Sequence, residues 1–205
     1  MVRAMATLEK AGLNEGAAGN LSVRLEDGFL VTPSGVKGPA LGADMMVRMD
    51  ADGAHVAGAN PPSSEWRIHR AVYAAYADTH AVVHTHSPHA TALACLHRSI
   101  PAFHYTVALA GADAIPCTPY ATFGSEALAK VVVEGLAASR ACLLANHGVV
   151  ACAADLDGAV ALAAHVEYLA RVYLIAIAAG DPVLLDDAEM ARVRAGIAAY
   201  AGRGG

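Results

Sequence analysis

His84-Thr85-His86 closes the apolar run Ala81-Val82-Val83. Such a run reads as a strand, and on a strand the side chains at i and i+2 share one face. Two imidazoles at a strand end are therefore placed to share one metal ion. A third histidine, His147, follows the apolar stretch Leu143-Leu144-Ala145 in Asn146-His147-Gly148. Three neutral imidazoles leave one tetrahedral position open, which is how catalytic zinc sites are built. Two same-face imidazoles on a buried strand are costly without partners, so a metal centre is the favoured reading of this trio. The other histidines differ. His89, one turn further on, reads as a helix-start contact. His55, His69, His80, His97 and His165 read as structural, because an isolated histidine in an Ala-rich chain most often is.

Three further segments suit an anion. Pro62-Ser63-Ser64-Glu65-Trp66 precedes a helical pattern, and a helix start offers free N–H groups and a positive dipole end. The serines also read as plain caps. Glu65 is either a charge complementing the dipole or a general base. Gly19-Asn20-Leu21-Ser22 and Thr32-Pro33-Ser34-Gly35 gather glycine with small polar side chains at strand ends. Loops of that kind can cradle phosphate through backbone N–H groups, and ordinary turns use the same residues.

The elements that position these groups follow from periodicity and punctuation. A helix over about 3–11 ends at Gly12. Strands 21–25 and 29–32 flank Glu26-Asp27-Gly28, and strands 45–49 and 54–57 flank Asp50-Ala51-Asp52-Gly53, giving two hairpins. A helix runs from Ser63-Ser64-Glu65 to about Ala77, and a strand covers 81–86. Ser87-Pro88 starts the next helix, with serine as its cap. A short strand spans 114–117, a helix 125–138, and a strand pair 141–145 and 149–153. Helices over 157–179 and 188–200 finish the pattern, and the Gly-rich end beyond Tyr200 is expected to be loose. The fold class is α/β: one three-layer α/β/α domain over residues 1–205, its central sheet mainly antiparallel and covered by helices.

Composition narrows the function. The chain has 205 residues, 56% hydrophobic and 16% charged, with net charge −5. It shows no basic stripe, so nucleic acid is not an expected partner. No run is read as approaching the roughly 20 apolar residues of a membrane span, and no signal-peptide pattern opens the chain, so neither membrane nor export is expected. Cys95, Cys117, Cys142 and Cys152 are widely spaced in apolar contexts and read as buried free thiols of a cytoplasmic protein. High apolar content with few aromatics suggests surface buried between subunits.

Taken in order, Gly-Asn-x-Ser, Thr-Pro-Ser-Gly, Pro-Ser-Ser-Glu-Trp, His-x-His and His-Gly resemble the class II aldolase/adducin family over nearly the whole chain. Ser99–Tyr105, Ile115–Gly124 and Ala164–Ala170 add to the resemblance. It implies one zinc ion per subunit held by His84, His86 and His147, with Glu65 as the proton-transfer residue. It implies that Asn20, Ser34, Gly35, Ser63 and Ser64 bind the phosphate of dihydroxyacetone phosphate. It implies that Tyr105 reaches a neighbour's site to protonate the aldehyde oxygen, and that Tyr200 belongs to a closing tail. The implied assembly is a C4 homotetramer with interface active sites, and the implied reaction is reversible cleavage of a ketose phosphate to dihydroxyacetone phosphate and a short aldehyde. Lys10, Lys37 and Lys130 lie outside every motif, so a Schiff-base lysine is not expected. Other activities of the superfamily remain open: 4-epimerases, which carry aspartate at the Glu65 position, methylthioribulose-phosphate dehydratases and oxo-acid phosphate decarboxylases. A non-enzymatic adducin-like module is disfavoured, since such modules lack the three histidines.

Overall fold

The computed structural model describes residues 1–201. Both expected hairpins form. β1 (Asn20–Leu25) pairs with β2 (Gly28–Val31), and β3 (Val47–Asp50) pairs with β4 (His55–Ala57). β5 (Ala81–Thr85), β6 (Cys117–Thr118), β7 (Ala141–Leu144) and β8 (Gly148–Ala153) complete one eight-stranded sheet in the order β4-β3-β2-β1-β5-β8-β7-β6. Neighbours are antiparallel except β6 and β7, which run parallel. The exception has a local cause. α4 (Glu126–Leu136) connects these two strands, and a helical crossover returns the chain in the same direction.

The central strands β5, β7 and β8 are buried on both faces, as strand alternation shows. Ala81 and Val83 of β5 pack in one layer with residues of α1 (Val2–Lys10), α3 (Pro88–Cys95) and α5 (Leu156–Ala179). Val82 points the other way, into a layer with Ile68, Val72 and Tyr73 of α2 (Trp66–Ala75) and Leu128, Val132 and Leu136 of α4. Alternate side chains of one strand thus feed two cores, giving the three layers. His84 has the parity of Val82, so it faces the α2/α4 side. β1 crosses β5 with Asn20 opposite His84 and Ser22 opposite Val82, which puts both polar residues on that same side.

Several element ends differ from expectation for tertiary reasons. α2 stops at Ala75 and begins at Trp66, with Glu65 rather than a serine at the cap position. Ser87 precedes α3 but its hydroxyl makes no capping bond. Glu167 of α5 does that work instead, accepting from the backbone N–H groups of His89 and Ala90 at 3.0 and 2.9 Å. His89 is indeed a helix-start contact, its Nδ1 lying 2.6 Å from Glu167 Oε1. The short strand expected at 114–117 is realised as an Ile100–Ile115 bridge followed by β6.

Two expectations are corrected. α5 has 24 residues and a mean hydropathy of 1.6 over its most apolar window, so by length and composition it is long and apolar enough to cross a membrane. Here it lies on the sheet, burying Ala159, Leu162, Ala163, Val166, Leu169 and Ala170, and its mid-section carries His165, Glu167 and Arg171. The four cysteines are all free, but only Cys142 and Cys152 are buried; Cys95 is exposed and Cys117 half-buried. α6 (Asp187–Ala201) ends at the limit of the described residues, so the Gly-rich end lies outside them.

Candidate active site

β5 delivers His84 and the turn after it delivers His86. The tip between β7 and β8 delivers His147, and the residue before α2 delivers Glu65. One donor atom from each lies within 4.8 Å of every other. The three rings stand nearly edge to face, with centroids 4.8–5.0 Å apart and planes at 73–75°. The close approach depends on Gly148. A Cβ there would strike the Thr85 carbonyl oxygen and press on His86 Cδ2 and His84 Cε1 at 3.1 and 3.3 Å.

The donor set fits a divalent cation. His84 Nδ1 lies 2.8 Å from the Val149 carbonyl, so that nitrogen carries the proton and Nε2 is directed into the cluster. His84 Nε2 meets His86 Nε2 at 2.9 Å and Glu65 Oε2 at 3.1 Å, and His147 Nε2 lies 3.2 Å from Glu65 Oε1. Glu65 Oε1 is buried without a hydrogen-bond partner. A buried carboxylate oxygen that accepts no hydrogen bond, among converging imidazole nitrogens, is a site that wants a positive charge.

Electrostatics agree. Burial works to raise the Glu65 carboxyl, but the charge and hydrogen bond of His84, then the charge of His147 and the hydrogen bond of Asn20, prevail and hold it well below the usual carboxylate range. Burial works to lower His84, and the Glu65 carboxylate outweighs it, lifting that imidazole above its ordinary value. The other two remain neutral donors. Burial, then the His84 charge, pushes both His86 and His147 down to about 4. His84 and Glu65 thus shift in opposite senses, as the members of an ion pair do, beside the imidazole lone pairs of His86 and His147.

Beside the cluster opens a cavity of about 350 Å³. Asn20, Ser34, Gly35, Ser63, Ser64, Glu65, His86 and His147 all line it. Three segments meet there because a Pro33–Pro62 bridge and the bonds Ser34 N–H to Pro61 O and Ser63 N–H to Thr32 O zip the loop after β2 to the approach to α2. Gly35 holds φ +72°, a left-handed turn that glycine enters freely. Ser63 Oγ accepts from the Glu65 N–H at 3.3 Å, leaving its own proton available to the cavity. Ser22, part of the Gly-Asn-x-Ser loop, is instead fully buried away from it.

Tyr105 and Tyr200 do not line this cavity. Tyr105 opens a 3₁₀ segment, Tyr105–Ala110, and is 55% exposed; Tyr200 sits near the end of α6, 82% exposed. Sequence reasoning missed Asn14, Tyr120 and Phe123. Tyr120 and Phe123 line the cavity, and Asn14 Oδ1 accepts from the His86 backbone N–H at 3.2 Å. The available signal was Gly19, where a Cβ would collide with the Asn14 side chain. No lysine lines the cavity among the described residues.

Fold and cluster together define an α/β domain with a carboxylate and three imidazoles that could hold a metal ion at the wall of a cavity. Comparison with known proteins narrows the class. The Class II Aldolase and Adducin N-terminal domain matches residues 1–174, and the chain belongs to that family. It is 48% identical to the L-fuculose phosphate aldolase of Escherichia coli over 187 residues, covering 91% of this chain and 86% of that one. It is 47% identical over 182 residues to a 5-methylthioribulose-1-phosphate/5-deoxyribulose-1-phosphate aldolase of Rhodospirillum rubrum, covering 89% and 82%. A solved L-fuculose 1-phosphate aldolase superposes with a TM-score of 0.93 at 36% identity, covering 96% of this chain and 93% of that one. The protein is accordingly a lyase of the metal-dependent aldolase type.

Proposed function

We propose that this chain is a zinc-dependent ketose 1-phosphate aldolase, cleaving an L-fuculose-1-phosphate-like substrate reversibly to dihydroxyacetone phosphate and a short aldehyde. The observation that carries this reading is the buried Glu65 carboxylate, its Oε1 accepting no hydrogen bond, among three imidazoles at the wall of a cavity lined by Ser34, Ser63 and Ser64. His84, His86 and His147 would hold the metal, which when bound would supply Lewis acidity to stabilise negative charge developing on the substrate.

The chain's own residues do the rest. Asn20, Ser34, Gly35, Ser63 and Ser64 take the phosphate, and that remote binding energy orients the reacting carbons. In the cleavage direction the C4 hydroxyl gives up its proton and the C3–C4 bond breaks. The electron pair stays on C3, which then receives a proton that Glu65 takes up from solvent, while the C4 hydroxyl proton leaves to solvent through Tyr105 of the neighbouring subunit. In the reverse direction Glu65 removes that proton from the carbon alpha to the carbonyl. Tyr105 of a neighbouring subunit would exchange the proton at the aldehyde oxygen. This makes the working unit a homotetramer of single-domain chains, residues 1–205, with shared sites; Tyr200 would join from the tail.

Methylthioribulose-phosphate and deoxyribulose-phosphate substrates belong in the same test, because the relatives so named are nearly as similar as the fuculose enzymes. The test incubates purified zinc-loaded protein with a panel of ketose 1-phosphates and ketose 5-phosphates. Dihydroxyacetone phosphate, epimer, dehydration product and carbon dioxide are each measured. Dihydroxyacetone phosphate from a ketose 1-phosphate is expected. Epimer, dehydration product or carbon dioxide without it would overturn the reading.

A further inference from the structure

A line of buried polar contacts runs from Glu65 away from the metal cluster. Asn20 Nδ2 donates to Glu65 Oε2 at 3.0 Å, and Asn20 Oδ1 lies 2.6 Å from His69 Nε2. His69 Nδ1 lies 2.6 Å from Ser22 Oγ, which lies 2.7 Å from the Tyr73 hydroxyl. His69 and Ser22 are fully buried, and Asn20 and Tyr73 nearly so. None of His69, Ser22 and Tyr73 lines the cavity.

Two periods build this line. Asn20 and Ser22 lie two residues apart on one face of β1, a step of about 6.6–6.8 Å. Glu65, His69 and Tyr73 recur every four residues along the start and body of α2, a step of about 6 Å. The steps nearly match, so carboxylate, imidazole and phenol interleave with the amide and the hydroxyl. The side of β1 that faces α2 is the side that faces the metal cluster.

The direction of the hydrogen bonds is forced from one end. Glu65 as a carboxylate only accepts, so Asn20 must turn its NH₂ toward it and its oxygen toward His69. His69 Nε2 must then donate. A neutral imidazole has one donor and one acceptor, so Nδ1 accepts the Ser22 proton. Ser22 has no second proton, so Tyr73 donates to Ser22. Burial keeps His69 neutral, pushing it down to about 3, and so excludes a second donor on the ring. The alternative amide orientation would set Asn20 Oδ1 against Glu65 Oε2, two acceptors face to face.

We propose that His69 and Tyr73 are positioning residues of the aldolase reaction. Through Ser22 and Asn20 they fix the amide that anchors Glu65 Oε2, the oxygen that also meets His84 Nε2, and so set how the carboxylate is turned toward the cluster. This rests on the reading of Glu65 as the proton-transfer group. Removing His69 frees the Asn20 amide to rotate, and the carboxylate loses its fixed orientation while the three metal imidazoles keep theirs.

The test uses zinc-loaded protein and either L-fuculose 1-phosphate or 5-deoxyribulose 1-phosphate, whichever turns over faster. Ring nitrogen NMR, assigned by the signals lost in His69→Gln, reads the tautomer of His69; a proton on Nε2 is expected. His69→Leu should lower kcat by about 10- to 100-fold, the usual effect of losing an outer hydrogen-bond partner. Its KM should change by less than its kcat, since Asn20 alone of the five phosphate residues is loosened, and its zinc content should be unchanged, since no metal group is touched. His69→Gln restores a donor near the Nε2 position and should recover most of the lost kcat, a rescue that a packing role would not give. Tyr73→Phe, which removes one hydroxyl and folds most readily, should fall between wild type and His69→Leu. A proton on Nδ1, a wild-type kcat in His69→Leu, or equal losses in the Leu and Gln variants would overturn the proposal. Near-normal turnover in Glu65→Gln would overturn the proton-transfer reading and the positioning role together. A proton on Nδ1 with a collapsed Glu65→Gln would overturn the relay alone.

Discussion

Asn146 and His97 are the two non-glycine residues with left-handed backbone among those described, at φ +54° and +52°, and they are hydrogen-bonded to each other, Asn146 Oδ1 to His97 Nε2 at 2.6 Å. Asn146 also donates its backbone N–H to Ala94 O at 3.2 Å. The tip that presents His147 is therefore tied to the end of α3 by side chain and backbone.

Asparagine tolerates this conformation, glycine enters it freely, and a β-branched residue does not. Asn146→Gly should fold normally and bind zinc slightly less tightly. Asn146→Val should lose about 1–2 kcal/mol of stability from the left-handed backbone, with weaker zinc binding because His147 is displaced. Thermal unfolding and zinc titration measure both. Equal behaviour of the Gly and Val variants would show that the turn does not set His147.

The metal prediction separates holding from reacting. Chelation should abolish activity and zinc should restore it. Glu65→Gln should retain zinc on the three imidazoles but lose turnover by about 10²–10⁴, the range for a general acid–base group. Zinc content and kcat are measured on the same preparation. Full activity in protein shown by elemental analysis to be metal-free would remove the metal from the mechanism.

The phosphate prediction concerns KM. Ser63 contributes a hydroxyl to the cavity while its oxygen accepts from the Glu65 N–H. Ser63→Ala should raise KM for phosphorylated ketoses by about 10- to 100-fold, the worth of roughly one hydrogen bond to a charged group, with zinc affinity unchanged. Cleavage of an unphosphorylated ketose as efficiently as its phosphate would show that the cavity does not serve an anion.

How much of this was legible varies by interaction range. The pair His84/His86 was visible because strand parity is local, and the hairpins were visible because Asp-Gly turns punctuate them. His69 was read as structural because its partners are set by the β1 register and the α2 phase together, which no local window contains. In hindsight the steps Asn20-x-Ser22 and Glu65-x₃-His69-x₃-Tyr73 carry the signal, but only once the two elements are known to pack. Ser87 looked like a cap, yet Glu167, eighty positions away, outcompetes it. The parallel β6–β7 pair escaped notice because β6 is two residues long. The apolar length of α5 escaped notice because charges at Asp157, Glu167 and Arg171 interrupt the run that a residue-by-residue reading looks for.

Acid stability follows from His69. Its folded pKa, pushed down to about 3 by burial and then by the His84 charge, lies below the unfolded value of 6.5. Above pH 6.5 neither state binds this proton, and the full stability is present. As pH falls from 6.5 toward 3 the unfolded chain takes up a proton that the folded chain refuses, so stability is lost, by up to about 1.4 kcal/mol per pH unit. His69→Gln carries no such proton. In chelated samples of both proteins, the stability advantage of wild type over His69→Gln should therefore shrink between pH 6.5 and 4. Parallel denaturation curves across that range would mean that His69 is not held neutral.

The last prediction concerns which chains make a site. Tyr105 is 55% exposed and does not line the cavity of its own chain. Its ring stacks on His104, with centroids 5.0 Å apart and planes at 24°, so it stands on the surface in a fixed orientation. A phenolic O–H on a surface is available to a second molecule, and it is the kind of donor that an aldehyde oxygen requires. Tyr105→Phe should fold and bind zinc but turn over slowly. Glu65→Gln should be nearly inactive for a different reason. Mixing the two under conditions that exchange subunits should recover activity, because some sites would then pair an intact Glu65 with an intact Tyr105 from another chain. The control is each variant taken through the same exchange alone, which should stay low. Sedimentation measures the assembly, for which a tetramer is expected. Mixtures that recover nothing, or an active species that sediments as a monomer, would place the two residues in separate roles.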